Sequence, residues 1–215
     1  MDNIKLKIKE YKSLNKLKEL IKDNNITLVL FGEYHGFSIQ ISILKEIIKI
    51  TKPDFFLYEM LEEKKILNNK DAKHFLNKLD IKDFSFISTY GQLKPIIRLA
   101  RNFNLQIIGC DIKNMGCKNK DWRKNKISRE DGEELTKRRE LQQTKVINQY
   151  TLKGVVFALV GDHHLRRGSL VLSKLNNERV VIIRPSFKWS EKFNHPNKFS
   201  NSEISYIARL QARKI

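Results

Sequence analysis

From Ile26 to Phe31 the chain is almost wholly apolar, and it then stops at Gly32-Glu33-Tyr34-His35-Gly36. A short continuous apolar run of this kind suits a strand covered on both faces, which is the situation of a parallel strand between two layers of helices. The same pattern returns at Asp54-Phe55-Phe56-Leu57-Tyr58, at Leu105-Gln106-Ile107-Ile108-Gly109-Cys110-Asp111, at Val155 to Val160 and at Val180-Val181-Ile182-Ile183. Helical patterns separate these runs. A helix from a Ser13 cap to about Asp23 places Leu14, Leu17, Leu20 and Ile21 on one face. A second, capped by Ser38, carries Ile39, Ile43, Leu44, Ile47, Ile48 and Ile50 and stops before Pro53. Strand, helix, strand is the pattern of a parallel crossover. The expected fold is therefore α/β, with a mainly parallel sheet of four to six strands flanked by helices.

Between these elements the pattern predicts short helices near 61–68 and 71–79, and a loop or small hairpin around Phe84, Phe86 and Ile87. A helix with Pro95 in its first turn runs to about Asn104. Residues 112–127 are rich in Lys and Asn without periodicity and read as a loop. Ser128-Arg129-Glu130-Asp131 is a capping box that opens a long helix through Leu135, Arg138, Arg139, Gln142, Val146 and Ile147. A helix from Ser169 to about Asn176 follows the fourth strand, and Pro185 is expected to end the fifth. Residues 1–12 read as a polar lead-in or edge strand. The core spans about 26–185, with a polar tail over about 190–215 in which 202–213 can form a helix. The 215 residues read as a single α/β domain, 1–215.

Four of the strands end in polar groups: Glu33 and His35, Glu59, Asp111, and the run Gly161-Asp162-His163-His164. In an open parallel sheet, sites lie beyond the carboxyl ends of the strands. Parallel strands would therefore gather these groups on one edge. Two carboxylates and two imidazoles suit a divalent metal bound through nitrogen and oxygen, or a general base acting on water directly. His163 and His164 compete for the inward position, as do Arg138 and Arg139. Asp111 is read as a supporting residue and Cys110 as core. His74 and His195 are read as surface residues, and Trp122 and Trp189 as packing. Arg166 and Arg167 suit either an acidic substrate group or a solvated loop. Neither a phosphate-cradling loop nor a dinucleotide fingerprint is present.

The charge is +18, from 42 Lys and Arg against 24 Asp and Glu. That favours acidic partners, nucleic acid or anionic lipid among them. The lysines, however, are spread along the whole chain, and no helix-turn-helix or aromatic-interleaved basic motif accompanies them. The two cysteines, Cys110 and Cys117, fit neither a zinc knuckle nor a disulfide framework, which points to a reducing compartment, the cytoplasm. No leader-like or membrane-spanning run is expected. Oligomeric state leaves no signature in the sequence.

The paired Gly32-Glu33-Tyr34-His35 and Gly161-Asp162-His163-His164, with Tyr58-Glu59 between them, resemble the G-x-x-H signature of the TraB/TIKI, ChaN-like and erythromycin-esterase-like superfamily. Lys137-Arg138-Arg139-Glu140-Leu141 looks like the helix that precedes the last motif in TraB-like proteins. The resemblance covers about residues 26–185. It implies a cleft lined by Glu33, His35, Glu59, Arg139 and His164, with Glu33, His35, Glu59 and His164 as the metal set. It implies hydrolysis of a peptide or small ester, with manganese or cobalt as the metal, and zinc is a further divalent ion that such residues suit; in ChaN-like members the bound group is haem instead. A haem- or metal-binding protein without turnover and a basic nucleic-acid-associated protein are the alternative readings. His163 beside His164, and the absence of the membrane segments common in TraB-like proteins, set this chain apart from the pattern.

Overall fold

The computed structural model describes residues 7–11, 14–23, 25–33, 40–63, 65–78, 93–113, 129–166, 168–176, 179–187 and 204–211. Its elements are β1 (Lys7–Tyr11), α1 (Leu14–Asp23), β2 (Leu28–Glu33), α2 (Gln40–Thr51), β3 (Phe55–Glu62), β4 (Ile66–Leu67), α3 (Asn69–Lys78) and α4 (Leu93–Asn102). They continue with β5 (Gln106–Asp111), α5 (Arg129–Thr151), β6 (Val156–Gly161), a 3-10 turn (Asp162–Leu165), α6 (Leu170–Ser173), β7 (Val180–Phe187) and β8 (Ile204–Gln211). The fold is α/β, as the apolar runs indicate. The strands form one sheet in the order β1-β8-β7-β2-β6-β3-β5-β4.

The five runs read from the sequence make the parallel centre, β7-β2-β6-β3-β5. Eight strands rather than four to six result because antiparallel strands are added at both edges: β8 and β1 beyond β7, and β4 beyond β5.

Within the centre, successive side chains go to opposite faces, and each face has its own core. Val29 and Phe31 of β2, Phe56 and Tyr58 of β3, Ile107 of β5 and Phe157 and Leu159 of β6 pack with α1, α2, α3 and α4. Leu28, Leu30, Leu57, Ile108, Cys110, Val156, Ala158 and Val160 pack with α5, the 3-10 turn and α6. On the first face the Phe56 and Phe157 rings stack with centroids 5.5 Å apart, and Phe31 lies 6.3 Å from Phe157. These aromatic pairs lock three adjacent strands in register.

Several local expectations are corrected. None of the described residues between 61 and 68 is helical: β3 runs on to Glu62 and β4 covers 66–67. The cause is a register shift between Tyr58 and Glu62, which folds the end of β3 over Gly109. A Cβ at Gly109 would lie 1.8 Å from the Glu62 carbonyl oxygen, so only glycine admits this approach. The helix after Ser169 is shorter than expected, ending at Ser173. Pro185 does not end β7, which continues to Phe187. It lies beyond Ile183, the last residue paired with β2, so its missing N–H need break no bond on that side. Residues 204–211 form a strand, not a helix, and lie between β1 and β7. Ile204, Tyr206, Ala208 and Leu210 already follow a period of two, and pairing selects that period over the helical one. The Ser13, Ser38 and Ser128 caps, the segment around Phe84 and nearly all of the 112–127 loop lie outside the described residues. Among the described residues no helix is long and apolar enough to cross a membrane.

Candidate active site at the carboxyl edge of the sheet

β6 is inserted between β2 and β3. That placement brings the late motif between the two early strand ends, with Gly161 level with Glu33 and Leu159 level with Tyr58. Beyond Gly161 the chain turns at once into the 3-10 turn, whose first residue sits on β2. A Cβ at Gly32 would lie 2.7 Å from Asp162 Oδ1. Asp162 is held there by Arg184 of β7, whose Nε donates to Oδ1 at 2.7 Å and Nη2 to Oδ2 at 2.5 Å.

The turn buries His164 and leaves His163 exposed, so His164 is the inward imidazole. Both of its ring nitrogens face carboxylates. Nδ1 lies 3.3 Å from Glu140 Oε1, and Nε2 lies 3.6 Å from Glu59 Oε2. Glu59 and Glu140 are 2% and 1% exposed, so these charges act in a poorly screened environment. Partial desolvation, followed by the Arg166 and His164 charges, lowers the His163 pKa below its ordinary value.

Helix α5 supplies the far wall. It carries Arg139, Glu140 and Gln143 on one face, while Arg138 is exposed. Arg139 forks onto Asp111, Nε donating to Oδ2 at 2.9 Å and Nη2 to Oδ2 at 2.5 Å. Gln143 Nε2 donates to Glu59 Oε2 at 3.4 Å. The Gln143 Oε1 atom is buried and meets no hydrogen-bond donor among the described residues. Glu140 accepts from the Leu170 N–H through Oε2 at 2.8 Å and from Arg166 Nη1 through Oε1. Arg166 also donates to the His163 carbonyl at 2.8 Å, so it serves the turn's own framework.

Glu33 occupies the other side of the strand ends. Strand alternation sends it to the face of Phe31, where it hydrogen-bonds the Tyr58 hydroxyl. Burial, then the Glu33 and Glu59 charges, push the Tyr58 pKa well up, so the phenol keeps its proton. Burial also drives Asp111 up from its ordinary value, against the opposing pull of Arg139. The Cys110 thiol, fully buried and beside Asp111 and Glu59, is likewise raised and inert, in keeping with its reading as core.

Of the residues expected from the sequence, Glu59, Arg139 and His164 stand together on the α5 side, and Glu33 stands across the sheet beside Tyr58. His35 lies outside the described residues, as do His195, Trp122, Trp189, Arg167 and Cys117. His74 is exposed on α3. Sequence reasoning missed Glu140, Gln143 and Arg184. The one available signal was Glu140's position next to Arg139 on the same helix turn.

Among the described residues no group of three or more His, Cys, Asp or Glu is arranged to hold a metal ion. Glu59 and His164 are nevertheless compatible with two ligands of one ion. Donors about 2.0–2.2 Å from a divalent centre stand roughly 3.3–3.6 Å apart, and these two are 3.6 Å apart.

No family model and no curated protein matches the chain. Two chains among the solved structures do match. One, described as "Bacterial protein toxins", overlays with a TM-score of 0.49 and 14% identity, over 79% of this chain and 36% of that chain.

Proposed function

We propose that the protein is a hydrolase of peptide or small ester bonds whose water is activated by His164 and Glu59. The observation that carries this reading is the buried line of Glu140, His164 and Glu59 at the carboxyl edge of a parallel sheet, with the Arg139 guanidinium on the adjoining helix face. Nε2 of His164 takes a proton from water as the water oxygen bonds to the substrate carbonyl carbon. The flanking carboxylates stabilise the imidazolium that forms. The carbonyl π electrons move onto oxygen, and Arg139, aimed by Asp111, stabilises that oxyanion. Collapse re-forms the carbonyl and breaks the bond to the amine or alcohol, which leaves with the proton from Nε2.

A divalent ion, where one binds, would be held by Glu59 and His164 Nε2 and would supply an acidified water in place of the base. Gln143, whose Nε2 donates to Glu59, has its Oε1 buried without a hydrogen-bond partner among the described residues, which is consistent with a further polar occupant near Glu59.

Metal content and hydrolysis of a mixed peptide and ester library, measured for wild type and for Glu33→Gln, Glu59→Gln and His164→Asn, test the reading. Hydrolysis by wild type that falls in Glu59→Gln and His164→Asn is expected. Undiminished turnover in both would remove these residues from the mechanism. Equal activity in Glu33→Gln would confine Glu33 to its partnership with Tyr58.

A further inference from the structure

We infer that Glu140 is a positioning residue that fixes the proton of His164 on Nδ1 and thereby leaves Nε2 bare toward Glu59. The catalytic consequence rests on the hydrolase reading above, whereas the placement of the proton does not. Glu140 is 1% exposed, yet it answers three polar partners from the stretch between His164 and Leu170. Oε2 takes the Leu170 N–H, and Oε1 faces both the Arg166 guanidinium and His164 Nδ1. Two of these partners can only donate, and the third, Nδ1, can donate when protonated. Both ring nitrogens face buried carboxylates, but Nδ1 stands at hydrogen-bond distance from Glu140, 3.3 Å, whereas Nε2 is 3.6 Å from Glu59, so a single ring hydrogen is better placed on Nδ1 than a lone pair set against Glu140. The neutral ring therefore carries its hydrogen on Nδ1.

That choice leaves Nε2 as the basic atom, 3.6 Å from Glu59 and able to accept a proton or ligate a cation. Glu140 is also fixed from behind. Thr144, one turn along α5, donates to the Glu140 carbonyl at 2.7 Å, so the backbone carrying this carboxylate is itself tied down. The clamp joins α5, the 3-10 turn and the start of α6, and turning the imidazole would break its contacts with Glu140 of α5 and Glu59 of β3.

Nitrogen-15 NMR of the His164 ring in the metal-free wild-type protein reads the tautomer directly. Nδ1 protonated and Nε2 bare is expected; the reverse assignment, or an even mixture, would overturn the inference. In Glu140→Leu the carboxylate left facing the ring is Glu59, and the major tautomer should switch to Nε2–H. A folded Glu140→Leu that keeps Nδ1–H would show that something else sets it. Should that variant fail to fold, the wild-type spectrum still decides, together with Arg166→Met, which leaves Glu140 in place and should retain Nδ1–H. A tautomer switch in Arg166→Met would assign the role to the arginine.

In an active protein Glu140→Leu should lower kcat by about 10–100-fold with little change in KM. Wild type with Nδ1–H and no hydrolysis would remove the hydrolase reading alone. Hydrolysis with Nε2–H would remove the role of Glu140 alone.

Discussion

Asp111 carries two opposed influences in one side chain. Burial pushes its pKa above the ordinary 3.8, and the Arg139 fork pulls it back without cancelling the rise. Because the folded protein then holds this proton more tightly than the unfolded chain, Asp111 contributes stability at pH below 3.8 that is lost as pH rises through its raised value. In urea titrations, wild type should lose stability relative to Asp111→Asn across that mildly acid window and run parallel to it above. A difference that grows in favour of wild type with rising pH would contradict this. Glu59→Gln acts on chemistry instead, and should cut turnover by about 10²–10⁴-fold while leaving the Asp111–Arg139 pair intact. Which residues were legible at this scale follows from where they sit. Glu33, Glu59 and the Gly161–His164 run end apolar strands, and apolar strands are readable. Glu140 lies on a helix among charged residues and looks solvated. Its burial comes from α5 overhanging the strand ends, which no local pattern of charges reveals.

β6 belongs spatially between β2 and β3 although the chain reaches it last of the three. Its Phe157 ring, stacked on Phe56 and near Phe31, ties the two early strands together. Phe157→Ala should destabilise the fold by about 3–5 kcal/mol, measured by chemical denaturation. Gly109→Ala should cost about 3 kcal/mol, the upper end for overpacking, because the clash is with backbone that cannot rotate away. A neutral effect of that alanine would mean the β3 end does not fold over β5 as described. Apolar runs made the parallel centre readable from residues alone. The edges were not, because the mixed pattern of β8 suits a helix as well as a strand, and its choice of strand depends on partners about 20 and 200 residues away. The extension of β3 was hidden for a similar reason, since it hinges on one glycine in another strand.

For the whole molecule, the formal charge of +18 and the site are distinct properties. The site's ion pairs are internal, Arg139 with Asp111, Arg166 with Glu140 and Arg184 with Asp162, so these arginines already answer local carboxylates. Retention on heparin should therefore fall steeply with salt yet be the same in wild type and His164→Asn. Parallel loss of heparin retention and hydrolysis would instead tie the charge to the site. The central claim is that this edge of the sheet adds water to a carbonyl. Digestion of the mixed peptide and ester library in oxygen-18 water, read by mass spectrometry, tests it most directly. Wild type should release carboxylic acids carrying one oxygen-18 from solvent, with the yield from His164→Asn lower by about 10²-fold or more; no labelled acid from wild type across the library, with or without added manganese, cobalt or zinc, or equal labelling by the variant, would contradict it.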